Sequence, residues 1–122
     1  LDRVRQAISG IPPADGRSRL RILELGCGNS GLSPALVRDG HDVVACDFSQ
    51  EVIDLMSQRH PELQWRCCDV LKLAEEFGEA SFDCIVAKTL LDCFLTRTDA
   101  AKSIRRWFEQ ARLVLQEHGR FV

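Results

Sequence analysis

The sequence predicts an α/β protein in which a parallel sheet is covered by helices on both faces. Apolar strand-like runs alternate along the chain with segments whose apolar residues recur at helical spacing. The strand-like runs are almost continuously apolar, which is typical of parallel strands buried on both faces. A glycine-rich loop joins the first of these runs directly to the next helix. Because crossovers between parallel strands are right-handed, this order predicts a doubly wound, mostly parallel sheet.

The predicted elements form a single domain over residues 1–122. A short amphipathic helix over 1–9 comes first and ends at Gly10. Strands are predicted over 20–25, 41–46, 63–67 and 82–87, and a fifth begins at 120. Helices are predicted from 32 to Gly40, from the N-cap Ser49 to Pro61, and after 98 as far as Gly119, while 71–78 is a short helix or a loop.

Composition excludes several classes of protein. The net charge is −2, without the basic excess of a nucleic-acid-binding surface. No apolar run approaches the roughly 20 residues of a membrane span, and no signal peptide is visible, so a cytoplasmic location is expected. The six cysteines form no C-x-x-C pair, so no metal site is predicted, and reduced, mostly buried thiols are expected.

The glycine-rich loop is the first candidate site. Gly26, Gly28 and Gly31 have the spacing G-x-G-x-x-G, between a predicted strand and a predicted helix. Glycine has no Cβ atom, so the backbone can turn sharply and approach a ligand closely. In this context the pattern predicts a loop that contacts a nucleotide-like cofactor, with an ordinary glycine-rich turn as the alternative.

An acidic residue follows at the end of the second strand. Asp47 comes about 20 residues after the loop, where a carboxylate accepts hydrogen bonds from ribose hydroxyls. Dinucleotides and S-adenosylmethionine both contain such a ribose. The alternative is that Asp47 only caps the helix that follows it.

Two further carboxylates distinguish between these cofactors. Glu24 stands two residues before Gly26, where it would repel a pyrophosphate but attract the ammonium and sulfonium groups of S-adenosylmethionine. Asp69 ends the third strand, where it can accept a hydrogen bond from an adenine amino group. An NAD site needs no acidic residue there. Together the two positions favour S-adenosylmethionine.

With these motifs the sequence resembles the class I, seven-β-strand S-adenosylmethionine-dependent methyltransferases, which have a Rossmann-like fold. The stretch E-L-G-C-G-N-S-G is similar to their first motif, acidic-x-G-x-G-x-G. The resemblance implies that Glu24 lies at the methionine end of the cofactor and Asp47 at the ribose. It places Asp69 and Val70 at the adenine. The remaining cofactor-binding positions that it implies are Gly26, Cys27, Gly28, Asn29, Ser30, Gly31, Phe48, Ser49 and Lys88.

A narrower resemblance concerns the methyl acceptor. L-E-L-G-C-G-N-S-G-L-S, V-A-C-D-F-S and I-V-A-K-T-L-L-D are similar to the eukaryotic branch that includes the elongation-factor and citrate-synthase lysine methyltransferases. In that branch the fourth strand typically ends V-D-K-G-x-x-D. Lys88 and Asp92 match this pattern, whereas Ala87 replaces the acidic residue and Thr89 replaces the glycine. The resemblance implies a protein lysine as acceptor and a protein as partner.

Methyl transfer from a sulfonium is an in-line displacement, in which the enzyme mainly supplies proximity and alignment. A substrate lysine must first lose its proton, and desolvation in a channel favours that loss without a dedicated base. No catalytic base is therefore assigned. Asp92 is a candidate for orienting the incoming amine.

The resemblance implies two more strands, the sixth and seventh, which would follow Val122. The sequence stops at Val122, at the start of the predicted fifth strand, so we expect a C-terminally truncated fragment that holds most of the cofactor half and little of the substrate half. An exposed sheet edge would result.

Three alternatives remain open from the sequence. The first is a methyltransferase with a small-molecule acceptor, and the second is an NAD(P)-binding Rossmann oxidoreductase domain. The third is a non-catalytic methyltransferase-like binding protein, which the changes at Ala87 and Thr89 leave open. The oligomeric state is not predicted.

Overall fold

A computed structural model describes residues 1–13, 16–28, 31–87 and 98–122. Its strands are β1 (Arg21–Leu25), β2 (Asp42–Asp47), β3 (Gln64–Cys67), β4 (Phe82–Ala87) and β5 (Leu115–Phe121). Its α-helices are α1 (Asp2–Ile8), α2 (Leu32–Arg38), α3 (Gln50–Arg59), α4 (Leu73–Phe77) and α5 (Ala100–Val114). A 3₁₀ helix, Val70–Lys72, leads into α4, so the short helix predicted after the third strand is present.

The strands form one sheet in the order β3-β2-β1-β4-β5, and every neighbouring pair is parallel. The predicted doubly wound α/β sheet is confirmed. Chain order reverses beside β1, since β2 pairs with one of its edges and β4 with the other. Ligands bind to such sheets at the carboxyl ends of the strands near this reversal. The glycine-rich loop, which follows β1, lies at that position.

Helices pack on both faces of the sheet. On one face, α1 and α2 bury side chains against β1, β2 and β4; this core includes Ile8, Ile22, Leu36 and Val43. On the other face, α4 and α5 pack over Leu23, Leu25, Phe82 and Ile85 of the sheet, and Trp107 of α5 belongs to the same core. Side chains of a strand alternate between faces, so Ile22 and Glu24 point toward α2 whereas Leu23 and Leu25 point toward α5. This alternation determines which functional side chain faces which helix.

The last helix ends earlier than the sequence predicts. The prediction that α5 continues to Gly119 is wrong, since α5 ends at Val114 and β5 begins at Leu115 instead of 120. The Val114 carbonyl accepts a hydrogen bond from the Ser81 N–H, 2.7 Å away, and Leu115 pairs with Phe82. Pairing with β4 therefore draws the chain out of the helix before its glycine.

Gly119 lies in an irregular part of β5 that passes close to β4. The register between the two strands shifts between Phe82 and Cys84. A Cβ atom at Gly119 would lie 3.0 Å from the Gln116 carbonyl oxygen and 3.1 Å from the Asp83 carbonyl oxygen. Both are backbone atoms, so neither can move aside as a flexible side chain could.

Replacing Gly119 with alanine is therefore expected to lower the free energy of unfolding by about 1–3 kcal/mol, since the added methyl group overpacks the strand pair. Urea denaturation would measure the change. Gly10→Ala is the matched control, because a Cβ at Gly10 meets its nearest neighbour at an ordinary contact distance of 3.9 Å. An equal loss in both variants would contradict the close approach at Gly119.

None of the helices in the described part of the chain has the length and hydrophobicity of a membrane span.

Candidate cofactor site

The segments that follow β1, β2 and β3 meet at the carboxyl edge of the sheet. The Cys27 N–H donates a hydrogen bond to the Cys46 carbonyl over 2.9 Å, which attaches the glycine-rich loop to the end of β2. The Cys68 N–H donates to the Asp47 carbonyl over 3.1 Å, which attaches the segment after β3 to the same strand. The structure therefore places Gly28, Asp47 and Asp69 together at the same edge of the sheet.

Two glycines of the loop have backbone conformations that favour glycine. Gly26 has φ = 67° and Gly28 has φ = 50°, both in the left-handed region. A Cβ atom placed on Gly28 would meet no atom of the described residues within 4 Å, apart from its own chain neighbours. Gly28 therefore has its backbone accessible on this side, as a residue that contacts a ligand through its main chain must.

Asp47 links the loop to the start of α3. Its Oδ2 accepts a hydrogen bond from the Gly28 N–H and its Oδ1 accepts one from the Ser49 N–H, both over 2.9 Å. Ser49 itself caps α3, because its hydroxyl oxygen accepts from the Val52 N–H. Asp47 is thus not the helix cap. Each of its oxygens retains acceptor capacity, so this half-buried carboxylate can also bind a pair of hydroxyl groups.

Glu24 is almost entirely inside the protein. Its side chain is 1% exposed and accepts a hydrogen bond from the hydroxyl of Ser33, which is also 1% exposed. Ser33 lies in the first turn of α2 and was not among the predicted site residues. The only sequence feature that could have indicated it is a polar side chain on the apolar face of that helix.

An aromatic side chain and a second carboxylate lie at the β3 side of the site. Phe48 is 82% exposed, which is unusual for a large apolar residue directly after a buried strand. Asp69 Oδ1 accepts a hydrogen bond from the Leu71 N–H over 2.9 Å, and Val70 is half-buried beside it. The second Asp69 oxygen has no hydrogen-bond partner among the described residues. A flat face and an open acceptor suit a purine that carries an amino group.

Thiols around this edge differ in exposure. Burial, with the Glu24 and Asp47 carboxylates nearby, raises the pKa of Cys27 to about 12. A hydrogen bond to the Cys68 thiol, together with burial, raises the pKa of Cys46 far above its ordinary value. Cys67, in contrast, is exposed, and its thiol donates to the Phe48 carbonyl oxygen over 3.3 Å. The expectation of mostly buried thiols is confirmed among the described cysteines, and Cys67 is the exception.

Alkylation with iodoacetamide at about pH 8 is expected to modify Cys67 well before Cys27, because only an accessible thiolate reacts quickly. The raised pKa keeps the Cys27 thiol protonated until the pH approaches about 12. Peptide mass spectrometry of timed samples measures both sites. In a Cys67→Ser variant the Cys67 phase should disappear, and equal rates at Cys67 and Cys27 in the folded protein would contradict the burial of Cys27.

Several predicted residues lie outside the described residues. They are Asn29 and Ser30 of the loop, and Lys88, Thr89 and Asp92 after β4. Gly31 is exposed and precedes α2, while Ala87 ends β4 beside Leu25. The described residues contain no group of three or more His, Cys, Asp or Glu side chains placed to bind a metal ion.

The strand order, the loop at the chain reversal and the acidic residues Glu24, Asp47 and Asp69 at or just after the ends of β1, β2 and β3 fit the class of S-adenosylmethionine-dependent methyltransferases. The sequence profile of the family described as methyltransferase domain matches residues 22–119. The chain therefore belongs to the methyltransferase domain family, and its cofactor is S-adenosylmethionine.

Curated relatives agree with this assignment. The bovine (Bos taurus) "EEF1A lysine methyltransferase 4" is 34% identical over 84% of this chain and 44% of its own length. The human (Homo sapiens) "eEF1A lysine and N-terminal methyltransferase" is 33% identical over 87% of this chain and 16% of its own. The "ubiquinone biosynthesis O-methyltransferase" of Paracidovorax citrulli is 34% identical over 70% of this chain and 36% of its own. The chain thus spans less than half of these relatives.

Solved structures show the same fold. The PH0226 protein of Pyrococcus horikoshii has a TM-score of 0.71 and 23% identity, over 99% of this chain and 57% of its own. The 1,6-didemethyltoxoflavin-N1-methyltransferase of Burkholderia thailandensis, solved with bound S-adenosylhomocysteine, has a TM-score of 0.66 and 25% identity, over 96% of this chain and 49% of its own.

Proposed function

We propose that this chain is the cofactor-binding part of a protein lysine methyltransferase. The observation that supports lysine as the methyl acceptor is the similarity, over 84–87% of the chain, to relatives whose names specify lysine methylation of eEF1A. The narrower sequence resemblance, based on Lys88 and Asp92, supports the same acceptor. A protein is accordingly the proposed partner.

The residues at the carboxyl edge fit the cofactor part by part. The acceptor capacity that remains on Asp47 suits the ribose hydroxyls, and bare backbone at Gly28 allows close approach. The exposed Phe48 ring offers a surface for the adenine, next to the open acceptor oxygen of Asp69. The buried Glu24 carboxylate offers a negative charge for the ammonium group.

When bound, S-adenosylmethionine supplies an electrophilic methyl group. The residues of this chain bind and orient the cofactor, which is the contribution an in-line transfer needs most. We assign no base. In the proposed reaction Asp92 orients the acceptor amine, and Asp92→Asn with unchanged turnover would exclude that role.

Binding and transfer are tested separately. Isothermal titration of the 122-residue chain with S-adenosylhomocysteine tests the cofactor site, and NADH is the control ligand that should not bind. Incubation with isotopically labelled S-adenosylmethionine and purified eEF1A, followed by peptide mass spectrometry, tests the acceptor. Label on a lysine side chain supports the proposal, and cofactor binding without label on any protein acceptor opposes it.

A small-molecule acceptor is the second candidate, favoured by the similarity to the ubiquinone biosynthesis O-methyltransferase. Running the same labelled reaction with a catechol in place of eEF1A distinguishes the two. Label on the phenolic oxygen, with none on lysine, would replace the first proposal by the second.

The cytoplasmic location stays a prediction from the sequence. Cell fractionation followed by immunoblotting would test it, and recovery in an organelle fraction would contradict it.

A further inference from the structure

The pair formed by Ser33 and Glu24 lies behind the glycine-rich loop, between β1 and α2. The structure describes α2 along its whole length, and Ser33 is the only polar residue among the five that this helix buries. Its hydroxyl donates a hydrogen bond to Glu24 Oε2. Placing a hydroxyl and a carboxylate in an apolar layer costs free energy unless they are paired, so the pair is a specific feature of this layer.

Pairing has two consequences for Glu24. A hydrogen bond to the ionised form of a carboxylate favours that form, whereas burial alone disfavours it. The bond also fixes the carboxylate in one orientation at the end of β1, two residues before the loop begins. A negative charge held at this place attracts a cation that binds above the loop.

We propose that Ser33 is a positioning residue: its hydroxyl keeps the Glu24 carboxylate ionised and oriented toward the ammonium group of the cofactor's methionine moiety. This inference rests on the proposed role of Glu24 in the cofactor site. Ser33 itself need not touch the cofactor.

Two ligands can distinguish a positioning role of Ser33 from a general structural role. S-adenosylhomocysteine carries the ammonium group, whereas 5′-methylthioadenosine has the same adenosine and thioether but no amino-acid part. Ser33→Ala is expected to weaken S-adenosylhomocysteine binding about tenfold, because a Glu24 carboxylate that is less ionised and less well oriented attracts the ammonium group more weakly. Binding of 5′-methylthioadenosine should change by less than about twofold, since no cation is involved. Isothermal titration measures both.

A double-mutant cycle tests whether Ser33 acts through Glu24. In a Glu24→Gln background a neutral amide already replaces the carboxylate, so adding Ser33→Ala should have little further effect on S-adenosylhomocysteine binding. Ser103→Ala is the matched control, because Ser103 is also a buried helical serine, 4% exposed, but lies on α5. It should affect neither ligand. Ser33→Cys keeps the size of the side chain with a weaker donor, and serves if Ser33→Ala does not fold.

The outcomes distinguish the inference from the proposed function. If the unmodified chain binds neither ligand, the cofactor site and the inference both fail. If it binds both, and Ser33→Ala or Ser33→Cys weakens both equally or neither, the inference alone is overturned. If Ser33→Ala weakens the binding of S-adenosylhomocysteine alone, and this effect disappears in the Glu24→Gln background, the positioning role of Ser33 is supported.

Discussion

Asp47→Ala is expected to weaken the binding of S-adenosylhomocysteine by about 100-fold or more, because two hydrogen bonds from ribose to a charged acceptor each contribute about 1.5–3 kcal/mol. The variant also removes the acceptor of the Gly28 and Ser49 N–H groups, so the loop loses its attachment to the carboxylate even without ligand. Isothermal titration measures the affinity.

Asp42→Ala is the control for this effect. Asp42 begins the same strand but lies at its opposite end, exposed and paired with Arg19 over 3.2 Å. We expect Asp42→Ala to bind S-adenosylhomocysteine with unchanged affinity. Asp47→Asn keeps the size and one acceptor oxygen but removes the charge, so its affinity should fall between the other two. Near-normal binding by Asp47→Ala would exclude Asp47 from the ribose site.

Asp83→Ala is expected to lower the free energy of unfolding by about 3 kcal/mol, because it removes the buried partner of a partly buried ion pair and leaves a backbone donor unsatisfied. Asp83 is fully buried in β4. Its Oδ2 accepts hydrogen bonds from the Arg21 N–H over 2.9 Å and from the Arg17 guanidinium over 3.1 Å. The carboxylate thereby connects β4 to β1 and to the segment before it.

Urea denaturation measures this loss. Asp42→Ala is again the matched control, since its pair with Arg19 is exposed and such pairs contribute only about 0–1 kcal/mol. Asp83 lies near the amino ends of the strands, so a folded Asp83→Ala protein should still bind S-adenosylhomocysteine. Loss of binding with unchanged stability would contradict a purely structural role.

The residues of the candidate cofactor site have local signals in the sequence, and the structure brings them to one edge of the sheet. The loop glycines, Asp47 and Asp69 each stand directly after an apolar run, and parallel strands bring their carboxyl ends to one edge. The positions of the strand ends in the sequence therefore suffice to predict which of these residues lie together. Ser33 was missed because its importance depends on the side chain that it faces across two elements.

The end of α5 was mispredicted for a related reason. Lys102 to Arg112 follow a helical pattern, and Gly119 has the position of a helix stop after a charged segment. The pattern contains no information about β4, which pairs with Leu115, or about Ser81 just before it, whose N–H donates a hydrogen bond to the Val114 carbonyl. A long-range pairing thus overrides a local helix signal.

The sequence by itself determined the order of the elements, the parallel sheet and the acidic residues that follow its strands, because each depends on periodicity and neighbours along the chain. Tertiary structure alone decided the pairing of Ser33 with Glu24, the burial of Asp83 and the exposure of Cys67 beside the buried Cys68. The physical reason is that burial and hydrogen-bond partners are set by residues distant in sequence, which meet only when the sheet has formed.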